Sequence, residues 1–153
     1  MMQENPQLQP KKDYHEPMHT AEHILNQTMD RMFKCGRAVS AHIERKKSKC
    51  DYILTNAPTA TQMQEVEDQV NRIIEMRLDV TSELMPVEDA CNQFDLKRLP
   101  DDAGETLRIV RIGDYDACPC IGMHVGNTSE IGHFIINNYD FNEGRLRIRY
   151  KLQ

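Results

Sequence analysis

Residues 19–25 read His19-Thr20-Ala21-Glu22-His23-Ile24-Leu25, and the first element of the fold is built around this stretch. Apolar side chains continue from it at helical spacing as far as Phe33, and Cys35-Gly36 then follow where a C-terminal glycine is favoured. The pattern predicts an amphipathic helix over His19–Lys34. On such a helix His19 and His23 lie one turn apart on the same face, close enough to share a metal ion.

Helix and strand patterns succeed one another downstream of this stretch. The predicted elements are strands at Arg37–Arg45 and Cys50–Leu54 around a basic turn, a helix at Thr61–Leu78, a strand at Val80–Met85, a short helix opening at Pro86, and strands at Thr106–Ile112, His133–Ile136 and Arg145–Leu152. This order predicts an α+β domain with a mostly antiparallel sheet and helices packed on one face. Residues 1–17 carry three prolines and no periodicity, which predicts a flexible lead-in before a single domain at 18–153.

The composition is that of an ordinary globular protein, with 39% hydrophobic and 28% charged residues. A formal net charge of −5 argues mildly against a nucleic-acid-binding protein, although it says nothing about local basic patches. No apolar run approaches the roughly 18 residues that a membrane helix needs, and the N-terminus lacks a signal-peptide core. Five cysteines without scaffold-like spacing predict reduced thiols or metal ligands, and we expect a cytoplasmic protein.

A second motif, Cys120-Ile121-Gly122-Met123-His124, offers a thiolate and a third imidazole far downstream. Three histidines and one cysteine are the nitrogen and sulfur set that suits tetrahedral Zn²⁺. Two metal-binding side chains four residues apart often occur by chance, so neither motif is specific by itself. Cys118 is an alternative to Cys120 as the thiolate ligand. The sequence argues against a metalloprotease of the HExxH type, because that motif needs Glu directly after the first His and Thr20 stands there.

The two motifs together resemble the zinc-containing editing domain shared by alanyl- and threonyl-tRNA synthetases and by freestanding AlaX-type trans-editing proteins. His19–Leu25 is similar to the family's H-[ST]-A-x-H-[LI]-L opening, and residues 109–120 are similar to the run before its second ligand pair. His124–Gly132 resembles the H-V-x-N-T-G-E-I-G stretch. The resemblance implies a ThrRS/AlaRS-type editing fold and hydrolysis in trans of the ester that joins a wrong amino acid, typically serine or glycine, to tRNA(Ala).

Four site expectations follow from this resemblance. It implies Zn²⁺ held by His19, His23, Cys120 and His124. A catalytic zinc normally keeps one position open, so one ligand, which we take to be His124, is expected to bind loosely. Ser40 is expected to face the pocket and recognise a substrate hydroxyl, against the alternative of an ordinary strand serine. Ile121 and Met123 replace a Gly and a Thr of the family loop, and their bulk is expected either to narrow the amino-acid pocket or to reshape the access of water to it.

A basic strip is predicted on the last strand, where cations alternate with apolar residues. Period-2 alternation places one face in solvent and the other in the core. The strip consists of Arg145, Arg147, Arg149 and Lys151, with Arg45, Lys46, Lys47 and Lys49 as further cations. It is a candidate contact surface for the tRNA acceptor end, and the alternative is a solvated hairpin face.

Two other functions compete with the editing enzyme. One is a non-catalytic, zinc-stabilised module that binds RNA or protein, which the substituted loop at Ile121 and Met123 favours. The other is hydrolysis of a different small ester or amide at the same site. The general base is left open: on a helical wheel Glu22 projects about 100° away from His23, which argues against that residue.

Overall fold

The structure is a computed structural model that describes residues 15–94 and 106–153. The helices are α1 (Glu16–Phe33), α2 (Ala60–Glu75) and α3 (Val87–Ala90), and the strands are β1 (Ser40–His42), β2 (Ser48–Ile53), β3 (Val80–Pro86), β4 (Thr106–Ile112), β5 (Asp116–Pro119), β6 (Phe134–Asn142) and β7 (Arg145–Leu152). All strand pairs in these ranges are antiparallel, in sheets of order β1-β2-β7-β6 and β3-β4-β5. The predicted α+β class is confirmed, with two sheets in place of the single one expected.

Helix α1 begins at Glu16, three residues before the predicted start, with Pro17 in its first turn where the missing N–H costs nothing. It ends at Phe33, and Lys34 takes a left-handed conformation that lets its N–H bond to the Asp30 carbonyl. Residues 1–14 of the predicted lead-in lie outside the described residues. Of the helical residues inside the range, Ile24, Leu25 and Met29 are buried as their spacing predicts.

The four-stranded sheet and helices α1 and α2 enclose the main core. Its largest fully buried side chains include Tyr52, Tyr150 and Phe134, and each well-buried apolar side chain contributes roughly 1.5–3 kcal/mol. Strand β1 is much shorter than the predicted Arg37–Arg45, and β2 starts at Ser48, inside the segment predicted as a turn. The hydrophobic pattern predicts that these strands exist but not where they begin and end. For β2 the reason is that pairing with β7 extends the strand.

Helix α2 starts with a capping box in which the Thr59 hydroxyl accepts from the Gln62 N–H and the Gln62 side chain accepts from the Thr59 N–H. It ends at Glu75, before the predicted Leu78. The Asn71 side chain donates to the carbonyl of Phe134 and accepts from its N–H. These two bonds fix α2 against the start of β6.

The three-stranded sheet contains a strand that the sequence analysis did not predict. Strand β4 has the predicted bounds, but Asp116–Pro119, predicted as part of a turn and a cysteine-rich segment, forms β5 and pairs with it from Ile112↔Asp116 to Ile109↔Pro119. The Tyr115 hydroxyl bonds to Thr28, and Arg31 donates to the Tyr115 carbonyl. The segment that leads into the second motif is therefore held against α1.

Within the two described ranges, no helix combines the length and apolarity that crossing a lipid bilayer requires.

Candidate metal centre

The side chains of His19, His23, Cys120 and His124 converge, and their candidate ligand atoms all lie within 4.8 Å of one another. The first two come from successive turns of α1, as the i, i+4 spacing predicts. The other two come from the loop after β5, which the Arg108 guanidinium shapes by donating to the carbonyls of Cys120 and Gly122. The expected juxtaposition of the two motifs is therefore present.

The hydrogen bonds of Thr20 fix the tautomer of His124. The Thr20 hydroxyl donates its single proton to the Glu16 carbonyl at 3.1 Å and accepts from the Val125 N–H. Toward His124 Nδ1, 2.9 Å away, it therefore accepts as well, so that Nδ1 carries the ring proton. The lone pair of His124 is left on Nε2, which is buried and has no hydrogen-bond partner within residues 15–94 and 106–153.

The same argument applies to the two imidazoles of α1. His19 Nδ1 lies 3.0 Å from the Met123 carbonyl, which accepts only, so this nitrogen is the donor. His23 Nδ1 lies 3.6 Å from the Asp116 carboxylate and 3.2 Å from the Cys118 sulfur. Each ring thus holds its proton on Nδ1 and leaves its Nε2 lone pair for the cluster, the arrangement typical of metal-ligating histidines.

Cys120 is the anionic member of the cluster. Burial raises the pKa of its thiol, but the surrounding imidazoles of His124, His19 and His23 outweigh that effect and lower the pKa to about 3. Burial lowers the pKa of His124 to about 4, which keeps its imidazole neutral. Burial alone would lower the pKa of His23, but Cys118 and Asp116 outweigh it and raise that pKa well above its ordinary value, so metal binding at this ring would release a proton.

The donor set fits zinc. Three nitrogen lone pairs and one thiolate match the chemistry of tetrahedral Zn²⁺, and the buried Nε2 of His124 is an acceptor that no described side chain satisfies. A buried acceptor without a partner costs roughly 1–3 kcal/mol, which a bound cation would remove. His124 is oriented by Thr20 as firmly as His19 is by Met123, so nothing in its surroundings singles it out as the loosest ligand.

A buried carboxylate lies on the Nδ1 side of His23, away from the Nε2 atom that joins the cluster. Asp116 has a side chain with 0% exposure and accepts from Arg37 at 2.8 and 3.2 Å and from Gln27 at 3.1 Å. Burial raises the pKa of Asp116, but His23 and Arg37 outweigh it and hold that pKa below its ordinary value. The sequence analysis missed Asp116 and Arg37, because only the fold reveals that β5 points this carboxylate at His23.

A cavity of about 680 Å³ opens beside the cluster. It is bordered by His19, His23 and Cys120 on one side and by Arg37, Val39 and Ala41 on another. Ser40 lies between two of these residues on β1 but is exposed and is not among the cavity's lining residues, since neighbouring side chains of a strand point to opposite faces. The geometry therefore gives no support to the expected contact of Ser40 with substrate.

The structure also locates Cys118 and the two substituted residues of the second motif, Ile121 and Met123. Cys118 is buried and contacts the Nδ1 side of His23, away from the Nε2 side that joins the cluster, so Cys120 is the thiolate of the four-residue set. Ile121 and Met123 are 49% and 43% exposed. Neither lines the 680 Å³ cavity, and their bulk therefore does not narrow it.

The predicted basic strip is partly neutralised. Its side chains alternate with buried Leu146, Ile148 and Tyr150 as predicted. Arg145 and Arg147 both donate to Asp51, which is buried beneath them, and Arg149 pairs with Asp140 on β6. Arg145, Arg147 and Arg149 nevertheless keep 46%, 36% and 37% of their side-chain surface exposed, so the strip still presents cations to solvent.

Comparisons with known proteins agree with this architecture. Residues 107–149 match the family model described as the threonyl and alanyl tRNA synthetase second additional domain. The chain is 30% identical over 115 residues to an alanine–tRNA ligase of Streptomyces avermitilis, covering 74% of this chain and 13% of that protein.

Two further alanine–tRNA ligases extend the comparison. The protein of Blochmanniella floridana is 36% identical over 121 residues, covering 77% of this chain and 13% of its own length. That of Methanococcus vannielii is 29% identical over 138 residues, covering 86% of this chain and 15% of its own length. The chain thus spans a small fraction of the length of the relatives it matches.

Proposed function

Because residues 107–149 match the model of the threonyl and alanyl tRNA synthetase second additional domain and most of the chain is similar to alanine–tRNA ligases, we propose that it is a member of that family and an aminoacyl-tRNA deacylase acting in trans. Its proposed substrates are tRNA(Ala) molecules that carry serine or glycine. The observation that carries the proposal is the partly buried cluster of His19, His23, Cys120 and His124 at the side of a 680 Å³ cavity. We propose Zn²⁺ as its cofactor and the cytoplasm as its location.

The proposed chemistry assigns the four residues to metal binding. When bound, zinc supplies a Lewis acid that polarises an ester carbonyl or lowers the pKa of a water molecule. The chain's own contribution is to hold three Nε2 lone pairs and one thiolate in place through the hydrogen bonds of Thr20 and Met123 and the ion-pair contact of Asp116 with His23. The cavity bordered by Arg37, Val39 and Ala41 is large enough for an amino acid ester.

The basic strip is the proposed contact for the tRNA acceptor end. Arg145, Arg147, Arg149 and Lys151 provide its cations, and part of each arginine side chain faces solvent. Because Arg145 and Arg147 are bonded to Asp51, their charge toward phosphate is reduced. We therefore expect Lys151 to contribute more to tRNA affinity, and also Arg149, whose partner Asp140 is 58% exposed and holds it less firmly than the buried Asp51 holds the other two arginines. Replacing either one should reduce the slope of log affinity against log salt concentration by about one, because one phosphate is then no longer neutralised.

The experiment is a deacylation assay with the zinc-loaded protein on Ser-tRNA(Ala), Gly-tRNA(Ala), Ala-tRNA(Ala) and Ser-tRNA(Thr). Release of serine or glycine from tRNA(Ala), without release of alanine, is the expected result. The His19→Ala variant is expected to lose both zinc and activity. Release of all four amino acids at equal rates would instead support the hydrolysis of esters in general.

A second function is favoured by one observation. Four protein ligands is the count of a closed, structural zinc site, which fits a zinc-stabilised module that binds RNA or protein without catalysis. That function predicts tRNA binding and bound zinc with no release of amino acid from any of the four substrates. The deacylation assay therefore separates the two functions directly.

A further inference from the structure

Glu22 lies at the metal cluster, which the helical wheel did not predict. Its Oε1 is 3.8 Å from His19 Nε2 and 3.9 Å from His23 Nε2. The Cα–Cβ bond of Glu22 leaves α1 about 100° from that of His23, but the side chain is long enough to bend back between the two rings. The carboxylate is not part of the group of four mutually close ligand atoms, so it stands at the edge of the cluster.

This carboxylate is nearly buried, with a side chain that is 12% exposed. Within residues 15–94 and 106–153 it accepts no hydrogen bond, and its only ion-pair contacts are the two imidazoles. Once both Nε2 atoms hold a metal, neither imidazole can donate a hydrogen bond to the carboxylate through that atom. An ionised group in such a position is costly unless a donor or a cation meets it.

The proposed zinc would supply one such cation, with two positive charges of which the Cys120 thiolate offsets one, and the side chains around the cavity add no further positive charge to it. Arg37 is the basic residue of the lining, and both of its terminal nitrogens are bonded to Asp116. Asp30, also in the lining, accepts from the Gly36 N–H. Once Arg37 is balanced by Asp116, Glu22 and Asp30 together outweigh the single positive charge that the proposed zinc and the Cys120 thiolate would leave, so the cavity keeps a net negative charge. It therefore favours a ligand with a positive group.

We propose that Glu22 binds the α-ammonium group of the substrate, so that the site requires an aminoacyl ester with a free amino group. This inference rests on the proposed function, since an aminoacyl ester has its α-ammonium one carbon from the carbonyl that is attacked. The carboxylate accepts the N–H bonds of that ammonium group beside His19 and His23. A substrate whose amino group is acylated, such as a peptidyl ester, has neither the charge nor the three donors and is rejected.

The test compares Ser-tRNA(Ala) with N-acetyl-Ser-tRNA(Ala) on the zinc-loaded full chain. A hydrogen bond to a charged group contributes enough for the wild type to prefer the free amine by about 10- to 100-fold in kcat/KM. Glu22→Gln is expected to lose that preference, by slowing hydrolysis of the free amine and not of the acetylated substrate. Glu22→Asp, which keeps the charge, is expected to retain a several-fold preference. Glu75→Gln, the same change at an exposed position of α2, is the matched control.

Two results would overturn the assignment. An equal loss on both substrates would assign Glu22 to proton transfer, and a loss of zinc affinity in chelator competition would make it a metal ligand. A second measurement does not depend on catalysis: calorimetry with L-serinamide and N-acetyl-L-serinamide. The wild type is expected to bind only the first, and Glu22→Gln to bind it at least tenfold more weakly.

These measurements separate failure of the inference from failure of the proposed function. Binding of serinamide that depends on Glu22, without hydrolysis of any tRNA ester, would retain the ammonium site and reject the deacylase. Hydrolysis of Ser-tRNA(Ala) with an unchanged amine preference in Glu22→Gln would retain the deacylase and reject the ammonium site.

Discussion

Replacement of Asp116 by asparagine tests whether the buried carboxylate orients His23 for metal binding. Asparagine keeps one acceptor oxygen but places an NH₂ group where the second carboxylate oxygen meets Arg37 at 3.2 Å and His23 Nδ1 at 3.6 Å. Both of those partners are donors, so the amide opposes two N–H groups and removes the negative charge. The imidazole is then free to rotate or to change its tautomer.

The expected magnitude has two parts. Loss of a carboxylate behind a metal-ligating histidine typically lowers metal affinity by about 10- to 100-fold. Loss of a hydrogen bond to a charged group costs roughly 1.5–3 kcal/mol of stability, and we expect the lower end because the Arg37 side chain is 35% exposed and can be rehydrated. Competition with a fluorescent zinc chelator measures the first quantity, and urea unfolding of the metal-free protein measures the second.

Asp114→Asn is the matched control, since Asp114 is exposed in the turn that precedes the same strand. It is expected to leave both quantities unchanged. A zinc affinity of Asp116→Asn within twofold of the wild type, in a protein that is folded, would refute the orienting role. In that case the Cys118 contact with His23 Nδ1 would be sufficient to hold the ring.

Three further predictions follow from the same structure. Cys120→Ser is expected to lose zinc by elemental analysis and Cys118→Ser to retain it, and the reverse result would exchange their roles. Hydrogen bonds from Arg147 hold the pKa of Asp51 below its ordinary value, so its contribution to stability is present above about pH 4 and is lost as the pH falls through the lower, folded-state pKa. Urea unfolding should therefore show Asp51→Asn less stable than the wild type near neutral pH and equally stable in strong acid, and a gap that persists in acid would contradict this. Ser40→Ala is expected to change kcat/KM by less than about twofold, because the side chain is outside the cavity, and a tenfold loss would restore its proposed contact with substrate.

The sequence was sufficient to predict the elements with strong periodicity. The apolar positions of α1 and α2 and the bounds of β4 follow from local patterns that tertiary contacts reinforce. Strand β5 was missed because a four-residue segment ending in Pro119 has too little pattern of its own, and it becomes a strand through pairing with β4. The split into two sheets depends on which strands pair, and no local pattern specifies that.

The site shows the same division between local and long-range information. Convergence of the two motifs was expected from their ligand chemistry together with the family resemblance. The neutralisation of Arg145 and Arg147 could not, because Asp51 reaches them from β2, far away in the sequence. The helical wheel was misleading for Glu22, since it records the direction of the Cα–Cβ bond and not the reach of a flexible side chain.

The hydrogen bonds between α1 and the segment around Tyr115 have a consequence for the order of assembly. Thr28 and Arg31 hold Tyr115, and Gln27 holds Asp116, without any contribution from the four cluster residues. The metal-binding site is therefore preformed by the polypeptide itself. A zinc finger differs, because its chain is unfolded until the ion binds. Removal of the metal ion should therefore leave an apoprotein that unfolds cooperatively and that binds the ion again without first having to fold.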